Sequence, residues 1–259
     1  MDKVRELVAS REILLNWVGR EFKVRYSQSV LGVAWALLQP LSMMVITTIV
    51  FSIFLKVPSR DIPYPVFVYS GLLLWMYFSN TLSTATPSVA DNYTLVSKVY
   101  FPREILPLSF VFVGIVDFLI ATSIFVVLLL IYQIHIGAAV LLVPLIILIQ
   151  SALILGISLI LGALNVFYRD IRFVLPLLVQ LWMYLSPIFY PTDIVPEAFR
   201  PFYFLNPMAT LIDAFRRVIF FNQMPDWPYF GFAALVSFLI LLVGYRYFKR
   251  VERQFADLI

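Results

Sequence analysis

An aspartate inside an apolar run is the first residue here whose chemistry needs an explanation. Asp117 lies within the stretch Ile105–Gln133, about 12 residues from its inner end. That is roughly 18 Å along a helix. A carboxylate at mid-membrane depth costs about 2.5–3.5 kcal/mol on insertion scales, so it must face other helices or water. It would serve either as a proton or cation site or as a carboxylate hydrogen-bonded to a neighbouring helix. No second acid and no basic residue inside a span stands ready to complete a relay. A second kind of chemistry resides in aromatic rings set beside hydroxyl and amide groups at helical spacing: Trp35, Gln39 and Ser42; Trp75, Phe78 and Ser79; Trp182, Ser186 and Phe189. A ring face attracts partial positive charge, such as the C–H groups of a sugar, and the polar neighbours suit its hydroxyls. The same stripes also suit ordinary helix packing.

The sequence carries few tools for catalysis. His135 is the sole histidine and falls in a tight turn, where a surface role fits it better than catalysis without partner groups. Asp170 between Arg169 and Arg172 reads as an ion pair at a helix end. There is no Gly-rich loop ending in Lys-Ser or Lys-Thr, no His-Glu-x-x-His and no Gly-x-Ser-x-Gly. Nor is there an Asp-x-Asp pair for a divalent metal. Cysteine is absent, so disulfides and thiolate metal sites are excluded. Catalytic residues and metal ligands are therefore expected to be none.

Composition says what positions these residues. Of 259 residues, 62% are hydrophobic and 13% charged, against about 45–50% and 25% in soluble domains. Six runs approach the roughly 20 apolar residues that cross a bilayer: Val30–Leu55, Val66–Thr84, Ile105–Gln133, Ala138–Phe167, Phe173–Tyr190 and Tyr229–Tyr247. The first begins too late for a cleavable signal peptide, so the first span itself is expected to direct insertion. The turn around His135-Ile136-Gly137 makes the third and fourth spans an antiparallel hairpin. With the N-terminus inside, 14 Lys and Arg fall on the inner side. Five fall outside: Lys56, Arg60, Arg200, Arg216 and Arg217. The positive-inside rule selects this orientation. Ala152 with Gly156, and Ser158 with Gly162, would let the fourth span pack closely on a neighbour.

The expected architecture is all-α: one polytopic transmembrane domain over residues 1–259. Residues 1–25 form an interfacial amphipathic helix on the cytoplasmic face, with Val4, Leu7, Val8, Leu14, Leu15 and Val18 on its apolar side and Trp17 as an anchor. Residues 30–190 hold spans one to five. Residues 191–228 form an outer segment, and residues 229–259 the sixth span and a cytoplasmic tail. The outer segment is rich in Phe, Tyr and Pro. Asn206-Pro207 reads as an N-cap followed by proline at the first helical position. Met208, Leu211, Ile212, Phe215 and Ile219 then share a face, and Asp213 can pair with Arg216 or Arg217. We read a short re-entrant helix dipping into the outer leaflet, which requires cover by protein or a wet cavity.

Several blocks, in order, resemble a known family. Arg20-Glu-Phe-Lys-Val-Arg-Tyr-Ser-Gln-Ser-Val-Leu-Gly-Val-Ala-Trp-Ala-Leu-Leu-Gln-Pro40 enters the first span. Tyr168-Arg169-Asp170, Ser186-Pro187-Ile188-Phe189-Tyr190-Pro191 and Leu205-Asn206-Pro207 follow, with Arg216 beyond. Together they are similar to the membrane subunits of ABC exporters for O-antigen and teichoic acid polymers. The resemblance implies a multi-pass protein of the bacterial inner membrane with both termini cytoplasmic. It implies a homodimer joined to two copies of a separate ATPase, exporting a polysaccharide carried on undecaprenyl diphosphate. This chain would bind no cofactor, since ATP and magnesium would sit on the partner. The inner loop with Asp91, Asn92, Lys98 and Arg103 would contain the coupling helix, with Arg20, Lys23 and Arg25 beside it. The outer segment with Asn206, Pro207, Asp213, Arg216 and Arg217 would shape the exit. A teichoic acid exporter subunit is the runner-up reading, and a proton-driven flippase using Asp117 and a membrane glycosyltransferase using Asp170 are the competing readings from other classes.

The charge asymmetry predicts an accessibility pattern that single cysteines can test without background. Impermeant maleimide should label position 59 or 195 from outside, and positions 3 and 257 only after permeabilisation. Labelling of position 3 in intact cells overturns the topology.

Overall fold

The computed structural model describes residues 11–27, 32–59, 62–94 and 101–255. Regular structure among them is entirely helical. In chain order, α1 is Arg11–Ser27, α2 is Ala34–Thr47, α3 is Tyr64–Ala85 and α4 is the short Ser88–Asp91. Next come α5 (Ile105–Ile131), α6 (Val143–Phe167), α7 (Ile171–Tyr184) and α8 (Arg200–Tyr203). The last two are α9 (Pro207–Phe220) and α10 (Trp227–Val251). A π-helical stretch, Thr48–Phe54, extends α2, and a 3-10 turn, Ala138–Leu142, leads into α6.

Four stretches are long and apolar enough to cross a membrane: Ala34–Phe54, Ile105–Ile131, Ala138–Phe167 and Trp227–Gln254. The other two expected spans differ from them in instructive ways. Helix α3 has 22 residues, but Tyr, Ser, Asn and Thr side chains dilute its apolar character. It lies at the centre of the bundle, where Val66, Val68, Leu74 and Phe78 are wholly buried, so it meets helices rather than lipid. The fifth apolar run reaches Tyr190 in the sequence, yet α7 stops at Tyr184 after 14 residues. Beyond it Ser186, Pro187, Ile188 and Phe189 fold inward and are buried.

From composition, residues 1–25 are expected to lie flat at the membrane surface. The first ten of them lie outside the described residues, and α1, which holds the rest, runs along α5. Trp17 packs at the inner end of the bundle beside a cluster of Val89, Phe101, Leu106, Phe248 and Phe255. No residue of α1 is fully buried, so the helix rests on the bundle along one edge.

Helices α6 and α10 approach closely through glycines. A Cβ at Gly156 would come within 2.6 Å of Leu241 N, and one at Gly244 within 2.4 Å of Gly156 O. Of the small residues expected on the fourth span, Gly156 lies against α10, whereas a Cβ at Gly162 would lie 3.2 Å from Thr86 O at the end of α3. The outer turn between α5 and α6 is pinned by Asn222, whose Oδ1 accepts from Ala139 N at 3.0 Å. Asn222 itself has a positive φ of 49°, a backbone conformation that asparagine tolerates better than most residues.

Gly244→Ala should therefore push two backbones apart and lower the unfolding midpoint in detergent, at a cost of about 1–3 kcal/mol. Gly231→Ala on the same helix meets nothing within 4 Å and should be neutral or stabilising. Equal midpoints for the two variants contradict this packing.

Candidate functional site

A half-open cavity of about 400 Å³ lies between α1, α2, α3 and α5. Helix α1 contributes Arg25 and Tyr26, α2 contributes Trp35 and Gln39, and α3 contributes Asn80, Thr81 and Thr84. Helix α5 contributes Asp117 and Gly114. Gly114 is required where α3 and α5 meet, because a Cβ there would lie 2.1 Å from Thr81 Oγ1.

Asp117 faces this cavity and is held from α1. Arg25 Nη1 donates to Oδ2, and Tyr26 OH donates to Oδ1 at 2.5 Å. Burial first, and the bond to Asp117 second, push the Tyr26 phenol up, so it remains a donor at any physiological pH. The basic partner of Asp117 comes from α1. Arg25, a coupling candidate by family resemblance, is therefore spent on the cavity wall. Its partner lies 92 residues away, and no helical spacing signals such a pair.

The three aromatic stripes have different fates. Trp35 is 54% exposed; Gln39 and Ser42 are exposed with it, and the Ser42 hydroxyl donates to Leu38 O at 2.7 Å. In contrast Trp75 and Phe78 are buried, with ring centroids 5.4 Å apart, and Ser79 is half-buried. Trp182 packs edge-on to Phe78 at 5.0 Å and donates from Nε1 to Asn206 Oδ1 at 2.8 Å. Ser186 is buried and donates to Trp182 O, and Phe189 stacks on Phe51 at 5.1 Å. Within one chain, the second and third stripes are packing faces rather than an open lining. For the third, the reason is the inward turn after Tyr184, which carries Ser186 and Phe189 into the core.

The outer segment is tied together by five polar side chains. Asn206 caps α9, its Oδ1 accepting from Met208 N at 3.0 Å with Pro207 at the first turn. Its Nδ2 donates to Leu185 O. Asp213 pairs with Arg217 at 2.7 Å and accepts from Thr192 Oγ1 at 2.9 Å. Arg216 turns the other way and is 5% exposed. It donates to Ser70 Oγ and to the carbonyls of Phe67, Pro187 and Ile188. Its guanidinium also lies 3.6 Å from the centre of the Phe67 ring.

At the other end of the bundle, the coupling candidates are mixed. Arg20 and Lys23 are exposed, and Arg20 lies over the Trp17 ring at 4.4 Å. Asp91 pairs with Arg172 at 2.5 Å, both half in solvent, so Arg172 does not serve Asp170. Asn92 Nδ2 donates back to Ser88 O. Arg103 is engaged inside the protein, donating to Glu252 O. Beside it Lys249 joins Glu104 at 2.6 Å and Glu252 at 3.2 Å, a buried cluster that sequence spacing does not reveal. Lys98 lies outside the described residues.

Known proteins of the same kind share nearly the whole chain. The O-antigen export system permease protein RfbA of Myxococcus xanthus is 32% identical over 257 residues, 98% of each chain. The protein of the same name from Klebsiella pneumoniae is 29% identical over 249 residues, covering 96% of this chain and 95% of the relative. The polysialic acid transport protein KpsM of Escherichia coli is more distant, at 22% over 241 residues, covering 90% of this chain and 91% of the relative. The ABC-2 type transporter family matches residues 14–221, a span that includes the Arg25–Asp117 cavity, all three aromatic stripes and the capped outer helix. With that match over most of its length, this chain belongs to the ABC-2 type transporter family.

Proposed function

We propose that the chain is the membrane-spanning subunit of an ABC exporter for undecaprenyl-diphosphate-linked O-antigen polysaccharide. The observation that carries this reading is the near end-to-end likeness to relatives named as O-antigen export permeases. Two copies of the chain form the pathway, and two copies of a separate ATPase supply the energy. The protein crosses the bacterial inner membrane six times with both termini in the cytoplasm, a topology supported by the charge asymmetry. Residues 191–228 dip into the outer leaflet, and α9, amphipathic yet almost wholly buried, supports protein cover for that backbone. The face that carries Arg20, Lys23, Asp91 and Asn92 receives the ATPase, and Lys98, which belongs to the same loop in sequence, contributes charge to it.

The purified chain alone should hydrolyse no ATP, and a separately encoded ATPase should co-purify with it. Together they should restore surface O-antigen to a strain lacking both. Surface polymer appearing with this chain but without the ATPase refutes the reading. Lys23→Glu with Lys98→Glu should loosen the complex or uncouple hydrolysis from export, and unimpaired export removes the inner face from the coupling surface.

The tryptophans separate pathway from core. Trp75→Ala and Trp182→Ala should lower the amount of folded subunit, at a cost of about 3–5 kcal/mol. Trp35→Ala should leave that amount intact and reduce export per subunit. Trp35→Phe should restore more than Trp35→Leu, because it returns a ring face worth about 1 kcal/mol. If Trp35→Leu and Trp35→Phe export equally, Trp35 contributes bulk and no ring contact.

A further inference from the structure

The cavity between α1, α2, α3 and α5 has a wall that acyl chains cannot satisfy. Asp117 lies roughly 18 Å along α5 from Ile105, with the charge of Arg25 beside it. The exposed amides of Gln39 and Asn80 and the hydroxyl of Thr81 stand around the pair. Polar and ionised groups at that depth are sustained by water or a polar ligand. A volume of about 400 Å³ lies within the ordinary range of small-ligand pockets, and it matches a head group rather than a polymer.

We infer that this cavity receives the diphosphate head group of a polyprenyl-linked sugar from the inner leaflet. Arg25 is the cation that binds it, and Asp117 is the anion it displaces. The inference rests on the export reading above and names the part of the substrate that engages first.

Three features carry it. Arg25 reaches Asp117 through Nη1, and a guanidinium has further N–H donors in a fixed fork suited to phosphate oxygens. Its side chain is 26% exposed, so a ligand in the cavity has access to it. Tyr26 bonds the other oxygen of Asp117 and stays protonated. Asp117 therefore keeps a donor when Arg25 swings to a ligand, and the exchange leaves no bare carboxylate. Beside the pair, Trp35 offers an exposed ring to the first sugar, and Gln39 and Asn80 offer amides to its hydroxyls. Without ligand, the Arg25–Asp117 pair keeps α1 seated on α5; with ligand, that contact is released.

The test is equilibrium binding to the intact transporter, this chain with its ATPase, in nanodiscs of phosphatidylcholine. The probes are sugar-free polyprenyl diphosphate, neutral polyprenol, inorganic diphosphate and phosphatidylglycerol. Polyprenyl diphosphate should bind saturably and more tightly than the other three. Equal binding of polyprenol, inorganic diphosphate or phosphatidylglycerol overturns the assignment. Arg25→Gln should weaken binding about tenfold or more, and Arg25→Lys should weaken it less. Asp117→Asn should tighten binding severalfold, because the competing charge is gone. A pair with a structural role alone predicts the opposite sign, with Asp117→Asn weakening binding as Arg25→Gln does, and that result sinks the proposal. Asn80→Leu changes the wall and leaves the pair intact. It should lower affinity for a sugar-bearing diphosphate lipid, and unchanged affinity also counts against the cavity. A complex that exports O-antigen yet ignores polyprenyl diphosphate refutes this inference alone. One that binds the diphosphate lipid through Arg25 but exports a different polymer supports the cavity and refutes the O-antigen reading.

Discussion

A single buried guanidinium organises the outer half of this protein. Arg216 reaches from α9 into the carbonyls of Phe67, Pro187 and Ile188, and so joins three stretches that are far apart in the chain. In hydrocarbon an unsatisfied carbonyl is expensive, and a chain that leaves its helix at Tyr184 exposes several. Arg216 satisfies two of these, Asn206 takes Leu185 O, and the non-helical turn 185–190 becomes tolerable inside the bundle. Gly71 is part of the same arrangement. A Cβ there would lie 2.9 Å from Arg216 Nη2 and 3.1 Å from Ile188 Cα, so a side chain would expel one or the other.

Fixing that turn decides which helices meet lipid. Helix α3 is enclosed by its neighbours and can therefore carry Tyr, Ser and Thr side chains that bond within the protein. Tyr69 OH donates to Ala121 O at 2.9 Å, and Tyr64 OH to Phe189 O at 2.8 Å. Helices α2 and α7 present the opposite case. On α7 only Leu175 and Val179 are buried, and Phe173, Leu177 and Leu181 stand more than half exposed. These two helices hold to the bundle by narrow seams. Helix α2 is one of the walls of the polar cavity.

The inner half is organised by charge instead. Arg25 and Tyr26 on Asp117 seat α1 against α5, while Lys249 between Glu104 and Glu252 ties the end of α10 to the start of α5. The second cluster is largely buried, with side-chain exposures of 12%, 5% and 20%. Removing one partner would leave an uncompensated buried charge, which is costly. The Arg25 pair is more open and borders the cavity, which makes it the more exchangeable of the two. Each links α5 to another helix.

The sequence by itself determined what depends on composition and local spacing. Its apolar runs and sparse charge established a helical membrane bundle. The Asn206-Pro207 cap, the buried face of α9 and the small residues of α6 were legible because each is set by neighbours one or two turns away. The absence of a phosphate-cradling loop and the ordered motifs pointed to a transporter's membrane component. Tertiary structure decided the rest. Trp75 and Trp35 carry the same kind of stripe, and only the fold makes one core and the other cavity wall. Asp213 had two arginines within helical reach, and the fold gave it Arg217 because Arg216 was claimed by carbonyls across the bundle. The end of α7 at Tyr184 and the pairing of Arg25 with Asp117 follow from contacts between residues tens of positions apart. Periodicity reports which face of a helix is apolar; what that face or a charge meets is set by how the helices assemble.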